Sequence, residues 1–272
     1  FVNKDINTNL EQFKEPYLKH LIIANTHSAS STISLSVFNK TEDNGTETEN
    51  DYYILKDVVV PVGASIALNA DELCLFDIGI KGFVTRPDFG LLEKIAQEAT
   101  MPLCYGGGVN SAQDAIKLVS MGYEKVSVSS SALSDPALID DIASSIGSQS
   151  TVVTLDVKKK RFTGDYSIFT ENGSKKNAVN FIEFMKIAES RGVGEIVVNS
   201  IDRDGTMSGY DLDLAAVVRD AISVPFSMIG GAASVQDMSD LIDKVGVVGA
   251  CVGSAFVFKG PYKAVLISYQ KP

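Results

Sequence analysis

"MPLCYGGGVNSAQD", residues 101–114, and "VPFSMIGGAASVQD", residues 224–237, are two versions of one segment that lie 123 positions apart in the chain. The residues shared at this offset are Pro102 and Pro225, Gly107 and Gly230, Ser111 and Ser234, Gln113 and Gln236, and Asp114 and Asp237. Residues 71–78 and 194–201 align at the same offset. One offset shared by separate segments is hard to obtain by chance, so we interpret it as an internal duplication.

Each copy contains a short apolar run, then residues typical of a turn, then a stretch in which apolar residues recur every three or four positions, as in a helix. The pattern predicts strands at "LCLFDI", "PLCYGG", "KVSVSS", "VVTLDV", "EIVVNSI", "PFSMIGG" and "GACVGSAF". It predicts helices near residues 88–99, 111–121, 135–145, 178–191, 212–221 and 235–244. Strands that alternate with helices form parallel βαβ units, so two such halves predict an α/β fold, a (β/α)8 TIM-barrel-like structure with half-barrel duplication.

The start of the chain does not supply a matching first strand and helix. Residues 28–37 correspond to "TVVTLDVKKK" (residues 151–160), but they carry Ile33 at the position of Asp156. The stretch that corresponds to the next helix is rich in β-branched residues and contains a proline and a glycine, so it is a poor helix former. We therefore expect a different element in place of the first strand and helix.

The region before the duplication alternates like β-strands around a polar loop, in which Asn44 and Gly45 form a turn signal. It weakly resembles β-rich domains of phage virion proteins. We predict a fusion of a β-rich N-terminal segment (residues 1–70) with a (β/α) barrel (residues 71–272). The run "HLIIAN" either fills the first strand position of the barrel, or the barrel stays open on that side.

The chain of 272 residues has a formal net charge of -10. An acidic protein repels the phosphates of nucleic acids and of anionic membranes, so we expect neither as a partner. A local site of backbone amides can still bind an anionic substrate within that overall field.

Three cysteines, Cys74, Cys104 and Cys251, each lie within an apolar run. Their number is odd and no CxxC spacing occurs, so we expect buried thiols in a reducing compartment and no disulfide or zinc site. Residues 1–9 mix charged and polar side chains, and the longest apolar run, from Val245, is too short to span a membrane. The sequence therefore predicts a cytoplasmic protein.

Polar residues and glycines follow the predicted strands, where a barrel of parallel strands carries its active face. The residues at these strand ends are Asp77, Gly106 to Gly108, Ser129 to Ser131, Asp156, Asn199, Ser200, Gly230, Gly231 and Ser254. Their shared position predicts one functional site at this end of the barrel.

The motifs "YGGGV", "GSQSTVVTLDVK", "GEIVVNSIDRDGTMSGYDL" and "IGGAASVQD" resemble the cyclase subunit of imidazole glycerol phosphate synthase over residues 71–271 or so. "MPLCYGGG" and "FVFKGPYKAVLISY" are most similar to a paralogous branch associated with surface polysaccharides and acetamidino-sugar synthesis. The resemblance implies a lyase of histidine biosynthesis that works without a cofactor or metal. It also implies a heterodimer with a glutaminase, an amidotransferase partner that delivers ammonia through the barrel.

The same resemblance implies a ribonucleotide substrate with two phosphates, one bound by each half-barrel. The phosphate-binding residues would be Gly107, Gly108, Ser129 and Ser130 in the first half, and Asp204, Gly205, Gly230, Gly231, Gly253 and Ser254 in the second. Glycines at these turns let backbone amides reach an anion at a helix N-terminus. The alternative is that they only permit tight turns.

In the family a pair of aspartates, one from each half, provides the general acid and base. Asp156 matches the aspartate of the second half, whereas the first-strand aspartate has no counterpart in this chain. The alternative for Asp156 is a structural role, in which it pairs with Lys158 or caps a loop.

Glu72, Lys125 and Glu195 match members of the charged ring that gates ammonia at the opposite, N-terminal ends of the family's strands. Such charges also occur purely for stability at the bottom of a barrel.

Two other functions stay open at this point. One is a catalytically inactive fusion, in which the β-rich segment docks to a virion-like structure. The other is an aldose–ketose isomerase of histidine or tryptophan synthesis, which the loop "DRDGTMSGYD" disfavours.

Overall fold

The computed structural model describes residues 20–24, 31–43, 46–60, 64–68, 72–77, 86–99, 101–161, 163–259 and 264–265. The predicted Asn44-Gly45 turn lies outside these residues. Within the described ranges, no helix is both long and apolar enough to cross a lipid bilayer.

The predicted barrel strands and helices are confirmed, each with its ends shifted by a few residues. The strands are β1 (His20–Ala24), β2 (Ser31–Asp43), β3 (Thr46–Val60), β4 (Ala64–Leu68), β5 (Leu73–Asp77), β6 (Leu103–Gly106), β7 (Lys125–Val128), β8 (Thr151–Lys159), β9 (Tyr166–Thr170), β10 (Lys175–Lys176), β11 (Glu195–Ser200), β12 (Phe226–Ile229), β13 (Gly249–Val252), β14 (Phe258–Lys259) and β15 (Ala264–Val265). The helices are α1 (Phe89–Glu98), α2 (Ala112–Ser120), α3 (Ser130–Ser134), α4 (Ala137–Ile146), α5 (Phe181–Ser190), α6 (Leu212–Ala221), α7 (Val235–Val245) and α8 (Ser254–Val257).

The strands form a closed barrel in the order β8, β11, β12, β13, β1, β4, β5, β6 and β7, and β7 pairs back with β8. Every neighbouring pair in this order is parallel except the two that involve β4, which runs antiparallel to β1 and to β5. The α/β TIM-barrel-like fold is therefore confirmed, with one additional antiparallel strand inserted into the barrel wall.

The run "HLIIAN" supplies β1, which pairs in parallel with β13 and takes the first strand position of the barrel. The next strands, β2 and β3, pair with each other as an antiparallel hairpin. This β-rich region thus replaces the first strand and helix of the regular fold. The division of the chain into domains at residue 70 stays a prediction.

Alternation along the strands separates two layers of packing, because successive side chains point to opposite faces of a sheet. On β5, Leu73 and Leu75 pack outward into the large core shared with the helices, whereas Cys74 points into the barrel. The buried side chains inside the barrel form what we call the inner cluster. Its members are Cys74, Cys104, Val152, Val197, Ile229 and Cys251, with Phe76 packed against them.

The duplication is visible in the hydrogen bonds at the start of α2 and α7. Ser111 accepts a hydrogen bond from the Asp114 amide (3.2 Å), and Ser234 accepts one from the Asp237 amide (3.3 Å). In each copy the aspartate also accepts from the amide of the residue just before the serine, at 3.4 and 2.8 Å. Both predicted N-caps are confirmed, and both halves use the same local design.

A hairpin after β8 is absent from the sequence-based prediction. Strand β9 pairs antiparallel with β8 and with β10, so it extends the sheet beyond the barrel. Its turn contains Glu171, Asn172 and Gly173, all with positive φ (53°, 56° and 75°). The Asn-Gly pair in this turn is a recognised hairpin signal, and it was available in the sequence.

Candidate functional site

A cavity of about 900 Å³ opens at the carboxyl ends of the barrel strands. Of the residues predicted for the site, those that line it are Asp77, Gly106, Gly107, Gly108, Ser129, Ser130, Ser131, Asp156, Asn199, Asp204, Gly205, Gly230, Gly231, Gly253 and Ser254. Ser200 is not among the lining residues; it is buried, and its backbone carbonyl accepts from the Asp204 amide (2.9 Å). Both halves of the duplication therefore contribute to one cavity.

Gly107 and Gly230 hold equivalent positions in the cavity wall, and neither position tolerates a side chain. Gly107 has φ of 148°, and a Cβ atom there would lie 2.7 Å from Cβ of Asp77. Gly230 has φ of 99°, and a Cβ atom there would lie 2.7 Å from the carbonyl oxygen of Ser200. The backbone consequently borders the cavity directly at both positions, with no side chain to cover its amides.

Two short helices begin beside these glycines. Helix α3 starts after Ser129, whose side chain makes no capping hydrogen bond, and α8 starts at Ser254. Both serines line the cavity. The first N–H groups of a helix have no partner within the helix and carry partial positive charge, so both places favour anions.

Asp156, at the carboxyl end of β8, accepts a hydrogen bond from Asn199 Nδ2 (2.9 Å) on the neighbouring strand β11. The ammonium group of Lys158 lies instead over the ring of Phe169, 5.2 Å from its centroid. These contacts argue against the alternative in which Asp156 has a structural role and pairs with Lys158. They favour a role for Asp156 in the cavity. Asn199 thus fixes the direction in which the carboxyl group faces.

The carboxyl groups of Asp156 and Asp204, two residues that line the cavity, both have raised pKa values. Burial raises the pKa of Asp156, the hydrogen bond from Asn199 lowers it, and the charge of Asp204 raises it again. Asp204 is exposed at the cavity, but its partial desolvation there still raises its pKa above the ordinary value, against a backbone hydrogen bond from Gly205. A carboxyl group whose pKa moves toward neutrality is better suited to transfer protons at physiological pH. The family resemblance implied that Asp204 belongs to a phosphate loop. It gave no indication that the charge of Asp204 acts on Asp156.

The other end of the barrel carries the charged cluster of Glu72, Lys125 and Glu195. Lys125 Nζ donates to Glu72 Oε2 at 2.6 Å and to Glu195 Oε2 at 2.8 Å. Burial raises the pKa of Glu72 to about 7, although Lys125 opposes the shift. Burial lowers the pKa of Lys125, but the two carboxylates raise it more, so its net shift is upward. The three residues meet as the sequence predicts, and the inner cluster separates them from the cavity.

The Asn-Gly turn of the β9–β10 hairpin forms part of the cavity rim, which the sequence did not predict. Lys175 and Lys176 line the cavity there, and Lys175 pairs with Glu171 at 3.1 Å. These lysines place positive charge beside the cavity of a strongly acidic protein.

Comparison with known proteins identifies the family. A family profile described as "Histidine biosynthesis protein" matches residues 41–263. A Vibrio vulnificus protein provisionally named imidazole glycerol phosphate synthase subunit hisF3 is 48% identical over 203 residues, which is 75% of this chain and 78% of that protein. The imidazole glycerol phosphate synthase subunit HisF of Hyphomonas neptunium is 39% identical over 208 residues, or 75% of this chain and 81% of that protein.

The chain belongs to the HisF cyclase family of imidazole glycerol phosphate synthase. The resemblance noted from the motifs is thus confirmed. The HisF subunit of Alkaliphilus metalliredigens is also similar, at 35% identity over 189 residues, or 68% of this chain and 75% of that protein. The match to the histidine biosynthesis profile begins at residue 41, within the N-terminal segment that the duplication does not cover.

We expect Asp204→Asn to lower the pKa of Asp156, because the charge of Asp204 disfavours the ionised form of Asp156. Titration of the Asp156 carboxyl carbon by NMR, assigned with Asp156→Asn, measures the shift. The matched control is Asp202→Asn, two residues away, where an exposed carboxylate accepts from the Lys159 amide. An unchanged Asp156 pKa in Asp204→Asn, or an equal shift in the control, would contradict the electrostatic coupling.

We expect Lys125→Met to destabilise the protein by about 3 kcal/mol, since removing one partner of a buried ion pair leaves its carboxylates uncompensated. We take the low end of the usual range because the Lys125 side chain is 21% exposed. Urea unfolding at pH 7 and at lower pH measures the effect, which should shrink as the carboxyls become protonated.

The control for Lys125→Met is Lys159→Met, which removes the exposed ion pair with Asp213 and should cost no more than about 1 kcal/mol. Equal losses of unfolding free energy in the two variants would show that the charged cluster behaves like an ordinary surface pair.

Proposed function

We propose that this chain is an imidazole glycerol phosphate synthase cyclase, a lyase that uses ammonia to close an imidazole ring on a ribonucleotide with two phosphates. One observation supports this most strongly: equivalent Gly-rich turns from the two half-barrels border a single cavity. A ligand with an anionic group at each end matches that arrangement. Members of the family carry names of the same activity.

The two phosphates bind at opposite halves of the cavity. In the first half the anion-binding atoms are the amides of Gly107 and Gly108 and the residues at the start of α3, Ser129 and Ser130. In the second half they are the amides of Gly230, Gly231 and Gly253, with Ser254 at the start of α8. Gly205 lines the same cavity, but its amide donates to the carboxyl group of Asp204. Backbone amides and helix N-termini bind phosphate without a neutralising side chain, which suits an acidic protein. Lys175 and Lys176 add positive charge at the rim.

Asp156 is the general acid–base group, held in place by Asn199. The family's first-strand aspartate has no counterpart, and we assign its role to the carboxyl group of Asp204. That carboxyl would repel a phosphate, and the Asp204 amide already donates to the carbonyl of Ser200, so Asp204 takes no part in binding the phosphate. The charge of Asp204 helps to keep Asp156 protonated, so the two carboxyls can supply an acid and a base to the same reaction.

Ammonia reaches the cavity from a glutaminase partner docked at the opposite end of the barrel. The charged cluster of Glu72, Lys125 and Glu195 forms the gate, and the interior of the barrel is the path. The pairs that Lys125 makes with both carboxylates support this assignment, since they connect separate strands at that end.

The motifs are also compatible with a different acceptor for the ammonia. "MPLCYGGG" and "FVFKGPYKAVLISY" resemble the surface-polysaccharide branch, in which the barrel delivers ammonia for acetamidino-sugar synthesis. The phosphate-binding turns and Asp156 serve either reaction, so the choice of acceptor rests on an assay with the ribonucleotide.

The test is turnover of the cyclase's ribonucleotide substrate with an ammonium salt as nitrogen donor. We expect product with the wild type and a fall in kcat of about 10²–10⁴-fold in Asp156→Asn, because a general acid–base group is lost. Asp165→Asn, at an exposed carboxylate paired with Lys160, is the matched control and should keep wild-type kcat.

Thermal shifts with the ribonucleotide separate the alternatives. Stabilisation without turnover would indicate a different acceptor for the ammonia. If neither turnover nor stabilisation occurred, the cyclase proposal would fail in favour of an inactive fusion.

A further inference from the structure

Two cysteines and a glutamate inside the barrel lie on neighbouring strands at matching positions. Cys74 on β5 pairs in register with Cys104 on β6. Glu72 precedes Cys74 by two positions, so both side chains lie on the same face of the strand. That face points into the barrel, because Cys74 and Cys104 both belong to the inner cluster.

The three side chains converge on one point. One carboxylate oxygen of Glu72 and the two Sγ atoms lie within 4.8 Å of one another, and all three residues are buried. A tetrahedral Zn²⁺ ion with bonds of about 2.3 Å to sulfur and 2.0–2.2 Å to oxygen spaces its ligand atoms about 3.5–3.8 Å apart. Small side-chain rotations therefore suffice to bring the three atoms to coordination distance.

Glu72 provides a second, independent indication of a missing ligand. The residue is only 6% exposed, and its Oε1 atom has no hydrogen-bond partner among the described residues. Lys125 binds the other carboxylate oxygen, Oε2, and also Glu195 Oε2. A buried carboxylate oxygen without a partner favours a cation at this place.

We propose that Glu72, Cys74 and Cys104 bind a thiophilic divalent cation of the Zn²⁺ class. Two thiolates exclude Mg²⁺ and Ca²⁺, which prefer oxygen ligands, while the mixed sulfur and oxygen set suits Zn²⁺. The ion occupies the interior of the barrel between the charged cluster and the cavity, which extends to the inner cluster at Phe76 and Cys251. Three ligands from the chain leave a fourth coordination position open.

Binding at this site releases protons, because only the thiolate coordinates a metal. The hydrogen bond with Cys104 and then burial raise the pKa of Cys74 well above its ordinary value. For Cys104 the same hydrogen bond lowers the pKa, but burial and the charges of Glu72 and Glu195 together raise it more. Both thiols are protonated at neutral pH, and Glu72, with a pKa of about 7, is partly protonated as well. At least two protons therefore leave when the metal binds, and the affinity for the metal increases with pH.

Cobalt(II) is the probe for the test, since it takes the place of Zn²⁺ and gives an absorption spectrum. We expect one Co²⁺ per chain, with the charge-transfer bands of thiolate ligands and their loss when Zn²⁺ is added. Cys74→Ser and Cys104→Ser should weaken binding by about 100-fold or more, since losing even an outer-shell partner of a metal costs 10–100-fold. Cys251→Ser is the matched control, at a buried cysteine of the same inner cluster, and should bind Co²⁺ like the wild type.

Glu72→Gln keeps both thiols and tests the carboxylate. It should retain the thiolate bands but need more Co²⁺ to reach them, and it remains informative if a serine variant does not fold. No thiolate bands in the wild type, or bands that persist in both serine variants, would overturn the proposal. The titration contains no substrate, so its failure leaves the proposed cyclase function untouched.

Discussion

The direction of the strands is the constraint on which the rest of the structure depends. All barrel strands except β4 run the same way around a closed wall, so their carboxyl ends meet at one cavity. The two copies of the segment lie 123 residues apart in the chain, and this arrangement brings both of them to the same cavity. Each half contributes a Gly-rich turn, and closure of the barrel brings both turns to one cavity.

Every second side chain of each strand points inward. Along the barrel axis these inward-facing groups form layers of different chemical character. Backbone amides and the carboxyls of Asp156 and Asp204 face the cavity, the inner cluster follows, and the charged cluster around Lys125 lies at the other end. The inner cluster excludes water from the middle layer, which explains why the carboxyls on either side of it have raised pKa values. Burial of carboxyl groups near both ends of the barrel thus links the fold to the protonation of these groups.

The sequence predicted the parts of this structure that depend on local patterns. Ser111 and Ser234 cap their helices as predicted, and the glycines of both halves line one cavity. The strand pattern of the N-terminal region was predicted, but the insertion of β4 into the barrel wall was not, because the direction of a strand depends on its partners. The group of Glu72, Cys74 and Cys104 was also missed: a search for CxxC spacing cannot detect ligands that converge from two neighbouring strands.

The most direct test of a duplicated phosphate site is a crystal structure of the protein with a linear bis-phosphate ligand. We predict that one phosphate lies against the amides of Gly107 and Gly108 and the other against those of Gly230 and Gly231, with the ligand spanning the cavity past Asp156. Both phosphates in the same half, or a ligand bound outside the cavity, would contradict the conclusion that two half-barrels form a single site.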